Sequence, residues 1–222
     1  SGIGNAARVD NTGEDDHRSF SAQTSGTVYY GFLLKAVNPS AGYFIHLYQS
    51  STIFAGRVFA TASGLGMNIG ISNTSTAPTY PPTVYALNAT HLIVVKFTFA
   101  TGMADLFVNP PVGGSEPAPD QTSDTPATGF TLNAISLRQY SATQNYIVDG
   151  IRVGTTWTDV VGNTPTPGAC CLADGSCATV TQAACIAAGG AYRGDGTTCP
   201  PTPACPQPGT CCVGTNCTFV LQ

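Results

Sequence analysis

His91-Leu-Ile-Val-Val-Lys-Phe-Thr-Phe-Ala100 alternates with a period of two. Ile93, Val95, Phe97 and Phe99 fall on one side, and Val94, Lys96 and Thr98 on the other, as in a strand with an inner and an outer face. Residues 27–37 repeat the pattern, with Val28, Tyr30, Phe32 and Leu34 set against Tyr29, Gly31, Leu33 and Lys35. Residues 43–49, 53–61, 67–72, 83–87, 103–109 and 131–139 read likewise. Turn chemistry separates them: Asn38-Pro39-Ser40-Ala41-Gly42, Ser63-Gly64-Leu65-Gly66, Thr101-Gly102, and a loop over residues 110–129 with five prolines. No stretch of residues 1–162 combines helical periodicity with caps. The expected fold is therefore all-β, an antiparallel β-sandwich of jelly-roll form.

One strand departs from its own alternation. In residues 146–154, Y-I-V-D-G-I-R-V-G, strict alternation would bury Asp149 beside Ile147 and Ile151, and an unpaired carboxylate is costly there. A bulge at Asp149-Gly150 resets the phase, with Val148, Ile151 and Val153 inward and Asp149 at a rim. Either the bulge only fits the sheet, or Asp149 faces a ligand or ion.

Cysteine divides the 222-residue chain: none of the nine lies in residues 1–169, and all fall between Cys170 and Cys217. This predicts a sandwich over 1–162, a Pro-rich linker over 163–168, a cysteine-rich repeat over 169–208, and the start of a second, truncated repeat over 209–222. The string Gly168-Ala-Cys-Cys matches Gly209-Thr-Cys-Cys at an offset of 41. Cys170, Cys171, Cys177, Cys185, Cys199 and Cys205 form an even set whose pairing the spacing leaves open. Cys211, Cys212 and Cys217 leave an odd one, to be matched outside the chain or left unbridged. The spacings lack zinc regularity, so disulfides are expected, and with them export to an extracellular or cell-surface location.

Charged residues make up 9% of the chain, against about 25% in an average domain, and the net charge is −4. Nucleic acid is a poor partner for so few Lys and Arg. The surface must draw on 15 serines and 30 threonines. No apolar run reaches the roughly 18 residues of a membrane helix. A start at Ser1 suggests a processed chain or a fragment.

The candidates for chemistry are sparse. Glycoside hydrolysis through two carboxylates finds only Glu14 and Glu116 as glutamates, the latter in the proline-rich loop. His17, His46 and His91 are scattered singly, so no catalytic residue is expected. Asn11, Glu14, Asp15 and Asp16 make the densest oxygen cluster, a candidate calcium loop or else a solvated acidic turn partnered by Arg18. No other cofactor is expected. Tyr43, Tyr48, Asp149 and Trp157 are candidate ligand-binding residues, since amphipathic rings stack on sugars but also suit sandwich strands. Asn73-Thr-Ser and Asn88-Ala-Thr match the N-glycosylation pattern.

Several strings together carry a family likeness: S-G-I-G-N-A-A-R-V-D-N-T-G-E-D-D-H-R-S-F at residues 1–20, F-A-G-R-V-F at 54–59, L-F-V-N-P at 106–110, I-S-L-R-Q at 135–139 and V-D-G-I-R-V-G-T-T-W at 148–157. They resemble the concanavalin-A-like, laminin-G-like jelly-roll modules of secreted and surface proteins of bacteria. Such modules are usually longer at the front, which implies that the first strands are missing here. The resemblance and the cysteine repeats imply a non-enzymatic extracellular structural or adhesive protein. It would self-associate into a filament or matrix homopolymer, with residues 217–222 as a strand donated to a neighbour. The alternative is a carbohydrate-binding, lectin-like module of a larger exported protein, with glycans as partners.

Overall fold

The computed structural model describes residues 5–50, 52–74, 76–140, 143–162, 166–200 and 205, and the backbone of 208–213 and 216–221. It divides into two compact units, Ser1–Gly162 and Asn163–Gln222.

The first unit runs β1 (Ala7–Val9), β2 (Asp16–Gln23), β3 (Thr27–Asn38), β4 (Tyr43–Ser50), β5 (Ile53–Ser63), β6 (Gly66–Ser72), β7 (Tyr85–Ala86), β8 (Thr90–Thr98), β9 (Met103–Val108), β10 (Gln121–Thr122), β11 (Leu132–Leu137), β12 (Asn145–Gly154) and α1 (Trp157–Val161). Two six-stranded antiparallel sheets result, ordered β1-β12-β3-β8-β9-β10 and β2-β11-β4-β5-β6-β7. The chain repeatedly crosses from one sheet to the other, the connectivity of a jelly-roll sandwich. Between the sheets lies the expected core: Ile93, Val95 and Phe97 meet Val28, Tyr30, Phe32 and Leu34 from one side, and Phe44, Leu47, Val58 and Ile69 from the other.

Two expectations need correction, and one strand lies outside the alternating stretches. Residues 16–23 form a strand although they hold a single bulky apolar side chain, Phe20, because their backbone pairs with β11 from Leu137↔Asp16 to Leu132↔Gln23. A helix also exists in this unit. The Asp159 carboxylate accepts from the Thr155 and Thr156 N–H groups at 3.0 and 2.9 Å, closing the first turn in the manner of a capping box. The α1 helix then lays Trp157, Val160 and Val161 over Tyr29, Val94 and Phe107, so Val94 is 0% exposed on the face expected to be open. Gly31 allows that approach, since a Cβ there would stand 3.3 Å from the Val160 Cβ. The bulge in β12 is present, with the register shifting between Asp149 and Arg152 and Gly150 at φ 62°. Yet Ile151 is exposed rather than inward. It sits where β12 has run past β1, which covers only Tyr146 to Val148.

In the second unit, β13 (Gly168–Cys171), β14 (Cys177–Val180), α2 (Gln182–Ala187) and β15 (Ala191–Tyr192) are followed by the hairpin of β16 (Pro208–Val213) and β17 (Asn216–Leu221). Disulfides join Cys170 to Cys185, Cys171 to Cys205 and Cys177 to Cys199. Adjacent residues of a strand point to opposite faces, which is how neighbouring Cys170 and Cys171 reach separate partners. Cys171 stands opposite Cys177 in one hairpin, and Cys212 opposite Cys217 in the next. The bonding of Cys211, Cys212 and Cys217 lies outside the described residues, as do positions 163–165 of the linker. No described helix is long and apolar enough to cross a membrane.

Candidate functional site

Strand β4 has two consecutive core residues, Phe44 and Ile45. The register against β5 shifts between Tyr43 and Ile45, so Tyr43 and His46, an odd and an even position, can both face away from the core. Tyr48 follows on the same side. On β5 the partner of Tyr48 is Phe54. Across β11, Ser136 pairs with His46 on one edge and with His17 of β2 on the other, which sets His17, Ser136 and His46 in one row. The middle strand presents only Ala134 and Ser136 here. Strands two apart stand roughly 9.6 Å apart, and over these small residues His17 and Tyr48 lean together into a stack with ring centroids 5.0 Å apart and planes 16° from parallel.

The result is an open hollow of about 260 Å³ lined by Asp15, His17, Tyr43, His46, Tyr48, Phe54, Ser136 and Arg138. Its rings touch throughout, with His46 and Phe54 at 4.5 Å, Tyr43 and His46 at 5.4 Å, and Tyr48 and Phe54 at 5.7 Å. Two guanidiniums hold the same tyrosine: Arg57 lies 5.1 Å from the Tyr43 ring centroid and Arg138 4.1 Å. Arg57 is also 5.1 Å from the Phe54 ring, and Arg138 4.1 Å from that of Tyr140.

The electrostatics follow from burial. Desolvation lowers the His46 pKa to about 4, the Leu47 carbonyl bond opposing and the charges of Arg57 and Arg138 adding. The ring is therefore neutral at pH 7. Its Nδ1 is 3.2 Å from the Leu47 carbonyl oxygen; donating there leaves Nε2 with a lone pair. Desolvation also pulls the Arg57 pKa down, with Tyr43 opposing and Arg138 adding. The Arg57 Nη1 donates to the Asn73 carbonyl, while its buried Nε has no hydrogen-bond partner.

Of the sequence-derived ligand candidates, Tyr43 and Tyr48 meet here. Asp149 and Trp157 do not: Asp149 belongs to the other sheet, and Trp157 to α1, which packs on that sheet's outer face. The Asp149 carboxylate accepts from Gly150 N–H at 2.7 Å within the bulge. Trp157 is buried against Phe107 at 4.9 Å, and its Nε1 donates to the Gly114 carbonyl. Glu116 is tied down as well, accepting from Tyr29 and Lys96, each at 2.7 Å. The calcium candidates Asn11, Glu14, Asp15 and Asp16 are not gathered, and among the described residues no three His, Cys, Asp or Glu side chains form a metal-holding group. Asp15 instead accepts from the Gln139 N–H at 2.7 Å and Asp16 from that of His17 at 2.8 Å. The turn is organised by Asp10, which accepts from both the Thr12 N–H and hydroxyl and pairs with Arg8 at 3.0 Å, in place of the expected Arg18.

No family model matches the chain, and no curated protein matches it. Solved structures do. A sialidase shares 13% identity at TM-score 0.47, over 68% of this chain and 15% of its own. A SAP-like pentraxin from Limulus polyphemus shares 12% at 0.47, over 67% and 73%. The marine PL7 alginate lyase from Zobellia galactanivorans shares 14% at 0.39, over 59% and 62%. The matched stretch thus spans about a seventh of the sialidase. One expectation is corrected here, that of a non-enzymatic protein. Sialidase, alginate lyase and glycosyl hydrolase structures stand among the matches, and the want of paired glutamates tested only hydrolysis through two carboxylates. Neutral His46, the hydroxyls of Tyr43 and Tyr48, and Arg138 meet in one hollow.

Proposed function

We propose that the hollow on the second sheet binds a saccharide. The observation that carries this reading is the ring arrangement of His17, Tyr43, His46, Tyr48 and Phe54 around an open concavity whose remaining groups, Asp15, Ser136 and Arg138, are polar. A pyranose has apolar C–H faces and a rim of hydroxyls, and it is matched by ring faces for the former and hydrogen-bonding groups for the latter. Three disulfides fit a chain exported to an oxidising compartment, where glycans are at hand. Strand donation by residues 217–222 is the less supported reading, since β17 already pairs along one edge with β16.

A glycan array probed with the full chain tests the proposal. Binding to at least one glycan class is expected, falling by about ten-fold or more in Tyr48→Ala and Phe54→Ala and unchanged in Trp157→Phe in α1, over the opposite sheet. A chain that retains no glycan, or Tyr48→Ala and Phe54→Ala variants that bind as well as the parent, would rule it out.

A further inference from the structure

Two guanidiniums, on β5 and just beyond β11, crowd one tyrosine ring at the hollow, Arg57 at 5.1 Å and Arg138 at 4.1 Å from the Tyr43 centroid. Among the described residues neither has a carboxylate within ion-pair distance. Among the described residues the ion pairs are Arg8 with Asp10, and Lys96 with Glu116, both elsewhere in the unit. Arg57 is only 7% exposed, and its Nε is buried without a hydrogen-bond partner. A cation taken out of water is costly unless an anion or a full set of hydrogen bonds compensates it. Ring faces compensate less than an ion pair does. With only the Asp15 carboxylate on the same lining, the fold therefore maintains an excess of positive charge in one place, on a chain whose net charge is −4.

From this imbalance, and resting on the saccharide reading above, we infer that the ligand is a carboxylate-bearing saccharide, a uronic-acid type of sugar, whose carboxylate is received by the Arg138 guanidinium. Arg138 lines the hollow and offers a planar fork that suits a carboxylate. Arg57 abuts two of the lining rings, Tyr43 and Phe54, without itself lining the space. It acts through the field it adds, in a partly desolvated setting that strengthens charge interactions. Asp15, on the same lining, limits the negative charge the site accepts. That favours one carboxylate among hydroxyls over a densely sulfated or phosphorylated chain. The remaining lining groups are neutral His46, Ser136 and the two tyrosines, the hydroxyl and ring partners a sugar needs.

The experiment is a calorimetric titration of the full chain with oligomers of glucuronate, galacturonate, mannuronate and guluronate, each beside its carboxyl-reduced, neutral counterpart. At least one acid oligomer is expected to bind about ten-fold or more tighter than its reduced partner, and the preference to shrink in about 0.5 M salt. Arg138→Gln should bring the two within about two-fold, while Arg138→Lys keeps part of the preference and serves as the check on folding. Tyr48→Ala should weaken both members alike. Equal binding of acid and reduced oligomers overturns this inference and leaves the saccharide reading standing, as does a preference untouched by Arg138→Gln. Tighter binding of a sulfated oligomer than of its uronate counterpart also overturns it. If no member of any pair binds, while a glycan array does register ligands, the inference fails alone; if both are blank, both readings fail.

Discussion

Asn73 shows how much one buried amide can organise. Its Oδ1 accepts from the Gly56 N–H at 2.8 Å, and its Nδ2 reaches the Gly102 carbonyl, the Ser123 hydroxyl and the Thr125 carbonyl at 2.9, 3.1 and 2.7 Å. The amide that matched a glycosylation pattern is thus committed to packing. Asn73→Ala strands the buried Gly56 N–H and the Thr125 carbonyl, while the Gly102 carbonyl keeps its bond from the Ala127 N–H at 2.7 Å, and a loss of roughly 3 kcal/mol is expected in urea unfolding. His46 makes a different prediction. Its folded pKa, about 4, lies below the ordinary 6.5, so the unfolded chain takes up the proton first. Stability is full above about pH 6.5 and falls towards pH 4, by roughly 3 kcal/mol. The hollow around the ring also holds Asp15, His17, Tyr43, Tyr48, Phe54 and Arg138, with Arg57 close enough for its charge to act on it. Asp10, Asp159 and Asp174 have pKa values held below 3.8 by their hydrogen bonds, so their stabilisation is lost only at lower pH. Urea midpoints at about pH 7.5 and about pH 4.5 should differ clearly in the parent and much less in His46→Gln; equal slopes would contradict the account.

Elements were legible where alternation was strong. Residues 91–100 and 27–37 declared two faces, and strands β8 and β3 have them. Polar β2 was not legible, because its place is set by pairing with β11 rather than by its own residues. The α1 helix was missed because five residues are too few for a period to show, although Thr156-x-x-Asp159 was there to be read as a cap. The site was least legible. Its row joins positions 17, 136 and 46, which only the sheet order makes neighbours, and its floor depends on the smallness of Ala134 and Ser136. Tyr43 and Tyr48 could be named from the sequence; Phe54, Arg57 and Arg138 could not, having no local pattern that singles them out. The α1 contact is itself testable. Trp157→Ala removes the ring between Tyr29 and Phe107 and should cost about 3–5 kcal/mol in chemical unfolding, with saccharide binding on the other sheet retained. A loss below about 1 kcal/mol would mean that α1 contributes little to the sheet it covers.

At the scale of the whole molecule, the two units are held by different means. The sandwich has its inter-sheet core, whereas among its described residues the second unit has three disulfides and few buried side chains beyond its cysteines and Ala169. Each bridge stabilises by about 2–4 kcal/mol. Mild reduction should therefore expose residues 166–205 to protease and leave the sandwich protected; simultaneous digestion of both would contradict this division. If the ring-lined face of the second sheet is where the molecule meets its ligand, amide chemical-shift mapping of the ¹⁵N-labelled full chain, during titration with a glycan retained on the array, will show it. Shifts are expected to concentrate at His17, Tyr43, His46, Tyr48, Phe54 and Arg138, with Tyr29 and Phe107 of the opposite sheet and Trp157 of α1 unmoved. Saturable shifts centred on that opposite sheet or on residues 168–200, with the ring-lined face silent, would contradict it.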